Sequence, residues 1–211
     1  MNNKTIYHFV VDQSGSMAGL ENQTIEGFNT QLKTIKKLKE EFPQNEYIVS
    51  VTYFEDEVFD VIRFGKVEDI PLLSRENYNP GSSTSLLDAI GHAICSIDEK
   101  YGNEINEDKA TVVLVILTDG YENSSRKYSY NQIAKDIDRL NETNKWIFTF
   151  LGAGINAQSI TNRINIRSKN VSSFERAEYS AVLEKISRSV RRYEENKSAG
   201  LFSDDFLDGE F

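Results

Sequence analysis

Two rhythms of apolar residues divide this chain. Ile6-Tyr7-His8-Phe9-Val10-Val11 is apolar with little alternation and stops at Asp12, the pattern of a strand covered on both faces. A polar turn from Gln13 to Gly19 follows, and then Ile25, Phe28, Leu32, Ile35 and Phe42 recur at helical spacing until Pro43. Tyr47 to Phe54 and Val58 to Phe64, separated by Glu55-Asp56-Glu57, predict a hairpin. Past a loop carrying Pro71, Pro80 and Gly81, the stripe Leu87, Ile90, Ile94, Ile97, Tyr101 predicts a second helix. Ala110 to Thr118 is the most apolar strand and ends at Asp119-Gly120. Ile133, Ile137 and Leu140 mark a third helix, and Trp146 to Leu151 a further strand. A short helix around Ala157 to Ile164, a small strand near Asn170 to Phe174, and a long helix striped by Tyr179, Val182, Ile186, Val190 and Tyr193 complete the pattern.

Helices alternating with fully buried strands predict an α/β fold: a doubly wound, mostly parallel sheet with helices on both faces and one antiparallel edge strand from the hairpin. Residues 1–197 read as one domain and 198–211 as an acidic, aromatic tail. In such sheets ligands sit beyond the carboxyl ends of the strands, where the winding reverses. Asp12 and Asp119 both stand at strand ends, so neighbouring strands would bring the two carboxylates into one crevice.

Composition narrows the function without naming it. The 211 residues carry a net charge of −9, which argues against nucleic acid and anionic membrane as partners. The longest wholly apolar run, Val112 to Leu117, is far short of the roughly 20 residues a membrane span needs. One cysteine cannot form an internal disulfide, and no leader pattern follows Met1; both point to a cytoplasmic protein.

The chemistry concentrates in three segments. Asp12-Gln13-Ser14-Gly15-Ser16 offers a carboxylate and two hydroxyls at alternate positions, with Gly15 free to adopt a backbone closed to other residues. These are oxygen donors of the kind Mg²⁺ takes, with no Cys or His for a softer metal. Taken alone, the hydroxyls serve equally well as loop and helix-cap hydrogen-bonding groups. Pro80-Gly81-Ser82-Ser83-Thr84 adds a threonine before a strong helix, and Leu117-Thr118-Asp119-Gly120 adds a second carboxylate at the end of the central strand. Together, in this order, the three segments resemble the von Willebrand factor A domain with its metal-ion-dependent adhesion site, over about Thr5 to Lys197. Asp-x-Ser-Gly-Ser-Met, the segment Ser-Thr-x-Leu-Leu-Asp-Ala-Ile-Gly around Thr84, and Thr-Asp-Gly-Tyr-Glu-Asn resemble the small stand-alone bacterial members in particular. The resemblance implies that Ser14, Ser16 and Thr84 contact Mg²⁺ (Mn²⁺ or Ca²⁺ as alternatives) through hydroxyls, with Asp12 and Asp119 acting directly or through water. Ser83 fits the small residue the family often has before its threonine. Two aspartates balance the ion and leave it electrophilic, so a carboxylate supplied by a partner protein can complete its shell. The expected function is metal-dependent protein binding, not catalysis.

A Mg²⁺-dependent phosphotransferase of the haloacid dehalogenase type also ends its first strand in an aspartate. It needs a second aspartate two residues on as general acid, where this chain has Ser14. Gly152-Ala153-Gly154-Ile155-Asn156-Ala157 matches a dinucleotide fingerprint, but the following helix looks too short, and a tight turn is the better reading. Ser85, Asp88 and His92 are expected on a solvated helix face, Cys95 buried and inert, and His8 a satisfied core histidine. The lysines at 33, 36, 37 and 39 read as a solvated face. The tail after Ser198 is expected to be mobile; its sharper alternative is a docking peptide whose apolar side chains fill a groove, with Asp204, Asp205, Asp208 or Glu210 taking the open metal position of a second copy and giving Mg²⁺-dependent self-association.

Overall fold

The computed structural model describes residues 3–201 and 203–207; the beginning at Met1 and Asn2 and the last tail residues, with their Asp208 and Glu210 carboxylates, lie outside the described residues. Its strands are β1 (Lys4–Asp12), β2 (Glu46–Phe54), β3 (Val58–Lys66), β4 (Ala110–Thr118), β5 (Trp146–Ala153) and β6 (Val171–Phe174). Its α-helices are α1 (Glu21–Glu41), α2 (Leu86–Asn106), α3 (Tyr130–Glu142), α4 (Ala157–Thr161) and α5 (Tyr179–Ser198). The sheet runs β3-β2-β1-β4-β5-β6, and only β3 is antiparallel to its neighbour. The predicted doubly wound fold, with its antiparallel edge, is the fold observed.

Side-chain alternation sorts the core into two layers. Tyr7, Phe9 and Val11 of β1 face α1 and α5, packing with Phe28, Leu32, Leu183 and Ile186. Ile6 and Val10 face the other way, with Leu87, Ile90 and Ile94 of α2 and Ile133 and Ile137 of α3. Every residue of β4 is buried, as a strand covered on both faces must be. His8 is also buried, its ring nitrogens bonded to Ser50 Oγ at 2.6 Å and Thr52 Oγ1 at 2.9 Å. Polar residues in β1 therefore have local partners, and the strand end is left to carry the chemistry.

Three expectations need correction. Ser85 and Asp88 do not lie on a solvated face. Both are buried, because the chain following β4 folds over the start of α2 and the Asp88 carboxylate accepts from the backbone N–H groups of Arg126, Lys127 and Tyr128, each at 2.9 Å. Cys95 is exposed, at the edge of the helical stripe and 3.3 Å from Tyr128 Oη. The tail is not free: Phe206 and Leu207 are buried in the α1–α5 layer, Phe206 against the Tyr193 ring. Asn170 holds this segment from both sides, donating to Asp204 C=O and accepting from Phe206 N–H, each at 2.8 Å. Asp204 pairs with Arg167 and Lys169. Two large apolar side chains lower their free energy by docking in this layer, and the hydrogen bonds around Asn170 hold the segment in place.

Candidate metal centre

The strand order puts β1 beside β4, and the chain leaves them in opposite directions: β1 leads out toward β2, β4 toward β5. Their carboxyl ends therefore frame the crevice in which such sheets bind ligands. Val11 pairs with Leu117, so Asp12 and the pair Thr118-Asp119 emerge side by side. The first loop is pinned on both flanks: Gln13 N–H donates to Phe54 C=O at 2.7 Å, and Gly81 N–H to Gln13 C=O at 2.9 Å. Gly15 N–H donates to Ser82 C=O at 3.1 Å. The role of Gly15 differs from the expected one. Its φ is ordinary, and its value is close approach: a Cβ there would stand 3.4 Å from the Ser82 carbonyl oxygen.

Within this frame the five expected residues come together. Asp12 is fully buried, its Oδ1 accepting from Ser14 N–H at 2.7 Å and its Oδ2 from Thr118 Oγ1 at 2.5 Å. Ser14 Oγ lies 3.1 Å from Ser16 Oγ, which donates to Asp119 Oδ1 at 2.5 Å. Thr84 is fixed through its backbone: its N–H donates to Asn123 Oδ1 at 2.8 Å and its C=O accepts from Asn123 and Ser124. Its hydroxyl is what remains for the crevice. Gly120 shows where these donors point. A Cβ built there would lie 3.1 Å from Thr84 Oγ1, 3.4 Å from Ser16 Oγ and 3.6 Å from Asp12 Oδ2. Three oxygens from two separate segments thus ring one small hollow that a single methyl would enter.

The electrostatics are those of a dry site. Burial pushes the Asp12 carboxyl up to about 6, against the opposing hydrogen bonds from Ser14 and Thr118. Burial also raises Asp119, with the Ser16 hydrogen bond and the Arg176 charge opposing. Two desolvated carboxylates facing hydroxyls form a hard, all-oxygen donor set that fits a divalent cation of the Mg²⁺ kind. Among the described residues no group of three or more His, Cys, Asp and Glu could hold a metal.

Several supporting residues escaped the sequence reading. Tyr78 Oη donates to Asp12 C=O at 2.5 Å, and Glu122 accepts from the Leu87, Ser124 and Ser125 N–H groups, tying the loop past Asp119 to the start of α2. Thr118 stood inside a quoted motif, but its bond to Asp12 needs the strand pairing to be seen. Arg176, in the turn after β6, donates to Asp119 Oδ2 and to Ser16 C=O; only the strand order brings it there. The Gly152–Ala157 segment is a tight turn, as expected: Gly154 has φ +69° and the helix that follows is five residues long.

The sequence profile of the von Willebrand factor type A domain matches residues 8–189. This chain belongs to that family. No curated protein matches the A domain in sequence. Solved structures share its fold at low identity. The PilB minor pilin of Streptococcus sanguinis is 13% identical with a TM-score of 0.61, over 91% of this chain and 62% of that one. A von Willebrand factor type A protein of Catenulispora acidiphila is 12% identical with a TM-score of 0.59, over 89% of this chain and 42% of that one. The manganese-loaded TRAP protein of Plasmodium vivax is 18% identical with a TM-score of 0.54, over 86% of this chain and 72% of that one. This A domain therefore spans less than two thirds of the first two proteins. Among its described residues no helix is long and apolar enough to cross a membrane.

Proposed function

We propose that this A domain is a protein-recognition module acting through one divalent cation, Mg²⁺ or in its place Mn²⁺ or Ca²⁺, at an adhesion site like that of its metal-dependent relatives. Ser14, Ser16 and Thr84 would hold the ion through hydroxyls, and Asp12 and Asp119 would balance its charge directly or through water. The observation that carries the reading is the hollow beside Gly120, faced by Thr84 Oγ1, Ser16 Oγ and Asp12 Oδ2. When bound, the ion supplies a Lewis-acidic position for an oxygen ligand from outside. The chain's own residues limit the negative charge around it to two carboxylates, which leaves room for a carboxylate from a partner protein. The manganese named for the Plasmodium vivax protein supports a cation of this class.

The module is read as a binder rather than an enzyme. The haloacid-dehalogenase alternative lacks its general acid, because Ser14 stands where the second aspartate belongs and its hydroxyl is paired with Ser16. The motifs around Thr84 and Asp119 support kinship with the small stand-alone bacterial members, and an exposed thiol at Cys95 suits a reducing cytoplasm.

Calorimetric titration of Mg²⁺ and Mn²⁺ into the wild type and into Ser14→Ala/Ser16→Ala tests the metal. Binding by the wild type, lost in the double variant with an unchanged circular dichroism spectrum, supports the assignment; equal affinity in both overturns it. A generic aryl phosphate hydrolysed with Mg²⁺ and spared by Asp12→Asn would favour the enzyme instead.

A further inference from the structure

We propose that Arg176 is a tethered counter-cation that sets how tightly this site holds its divalent ion, an assignment that rests on the metal reading above. The Asp119 side chain is fully enclosed, and its two oxygens are used differently. Oδ1 faces inward and accepts from the Ser16 hydroxyl at 2.5 Å; Oδ2 faces outward and accepts from the Arg176 guanidinium. The same guanidinium nitrogen donates to Ser16 C=O at 2.8 Å, so it clasps the first loop and the end of β4 together.

This placement is built in. Arg176 follows β6, which β4 and β5 separate from β1, and must cross the end of β5 to reach Asp119. It crosses over Gly154, which lacks the Cβ that would stand 3.7 Å from Arg176 Cγ and 3.9 Å from its Nε. Gly154 N–H is in turn fixed to Phe174 C=O at 2.7 Å. The turn that carries Arg176 is closed by a reciprocal pair, the Glu175 side chain accepting from Glu178 N–H and the Glu178 side chain from Glu175 N–H. Sequence-distant elements thus deliver one positive charge to the outer oxygen of a site aspartate.

The consequence follows from charge. Without Arg176, the two aspartates would neutralise a divalent ion completely. With it, the occupied site carries an excess positive charge. Arg176 weakens the hold on the ion, since like charges at short range repel in a desolvated site. It also strengthens the pull on an anionic group arriving from solvent, because the guanidinium side chain is about half exposed beside that position. Metal affinity is exchanged for partner affinity.

Mn²⁺ alone, titrated into the wild type, Arg176→Gln and Arg176→Lys by calorimetry and by electron paramagnetic resonance, tests this. Arg176→Gln should bind Mn²⁺ about tenfold more tightly, and Arg176→Lys, which keeps the charge, should stay near the wild type. Thermal melting provides a second readout: Arg176→Gln should melt lower than the wild type without metal and gain more from saturating Mn²⁺. Wild type that binds Mn²⁺ while Arg176→Gln binds it equally or more weakly overturns the role of Arg176 and leaves the metal reading standing. Absence of Mn²⁺ binding in all three chains, each folded by circular dichroism, overturns the metal reading and this assignment with it.

Discussion

Thr118 Oγ1 donates to Asp12 Oδ2 at 2.5 Å, joining the last residue of β4 to the last residue of β1. The same hydroxyl oxygen accepts from Gly120 N–H at 3.1 Å, so one threonine orients both the buried carboxylate and the turn that carries Asp119. Asp12 is thereby aimed into the crevice from within the sheet, on rigid strands rather than on a loop.

Replacing Thr118 with valine keeps the shape and removes the hydroxyl. The buried Asp12 oxygen then loses its donor, at a cost of about 1–3 kcal/mol in unfolding free energy. Metal affinity should fall as well, because Asp12 is no longer held in one orientation. Thr118→Ser should recover most of the metal affinity. Urea denaturation and Mn²⁺ titration of the two variants check this; a Thr118→Val protein that binds Mn²⁺ like the wild type would show that the hydroxyl does not position Asp12.

Gly120→Ala probes the hollow itself. The φ of Gly120 is not in the left-handed region, so alanine brings little backbone strain. Its methyl would enter the space between Thr84 Oγ1, Ser16 Oγ and Asp12 Oδ2. The expected outcome is metal affinity lowered by more than about tenfold, with melting in the absence of metal shifted by no more than a few degrees. A variant that melts normally and titrates normally would place the ion elsewhere.

The periodicity of apolar residues was enough to reveal the sheet, its two helical layers and the hairpin edge, because burial on one or both faces leaves a period in the sequence. The five candidate ligands were legible for a different reason: the three segments that carry them resemble the family's motif, with Asp12 to Ser16 and Asp119 following recognisable apolar runs and Thr84 standing just before one. What stayed hidden depends on neighbours from distant segments. Asp88 looks like a solvated helix residue until the chain beyond Glu122 folds over it. Arg176 has no periodicity, and its meaning comes only from β6 lying next to β5. Phe206 reads as tail because a docked irregular segment carries no repeating pattern.

His8 gives the protein a pH-dependent stability unrelated to the metal. Burial lowers its pKa to about 3 from the ordinary 6.5 of a histidine, with the nearby Asp60 charge only partly opposing. Above pH 6.5 the ring is neutral in both states and contributes no slope. Between 6.5 and 3 the unfolded chain takes up a proton that the folded chain refuses, so stability falls as pH falls through that window. At pH 5 this amounts to about 2 kcal/mol. Denaturation of wild type and His8→Gln at pH 7.5 and pH 5 isolates the contribution. The wild type should lose about 2 kcal/mol more than the variant on acidification; equal losses would mean that the ring is protonated in the fold.

The segment around Phe206 is expected to act as part of the core. It docks beside Asn170, at the start of β6, whereas the candidate metal centre lies at the opposite ends of these parallel strands. Truncation at this place should therefore affect stability and leave the metal alone. Phe206→Ala removes a fully buried ring from against Tyr193 and should cost about 3 kcal/mol, near the lower end for such a change, because a short docked segment can relax around the gap. Asp204→Asn weakens partly exposed pairs with Arg167 and Lys169 and should cost less, about 1 kcal/mol or below. Neither substitution should change Mn²⁺ affinity. The same docking bears on self-association: Phe206 and Leu207 are already buried in their own domain, and Asp204 is already paired, so these three are not at hand for a second copy. Light scattering of the wild type should give the same molar mass with Mg²⁺ and with chelator. A mass that rises with Mg²⁺ and returns to the monomer value in Phe206→Ala would mean that the segment leaves its groove to bridge two molecules.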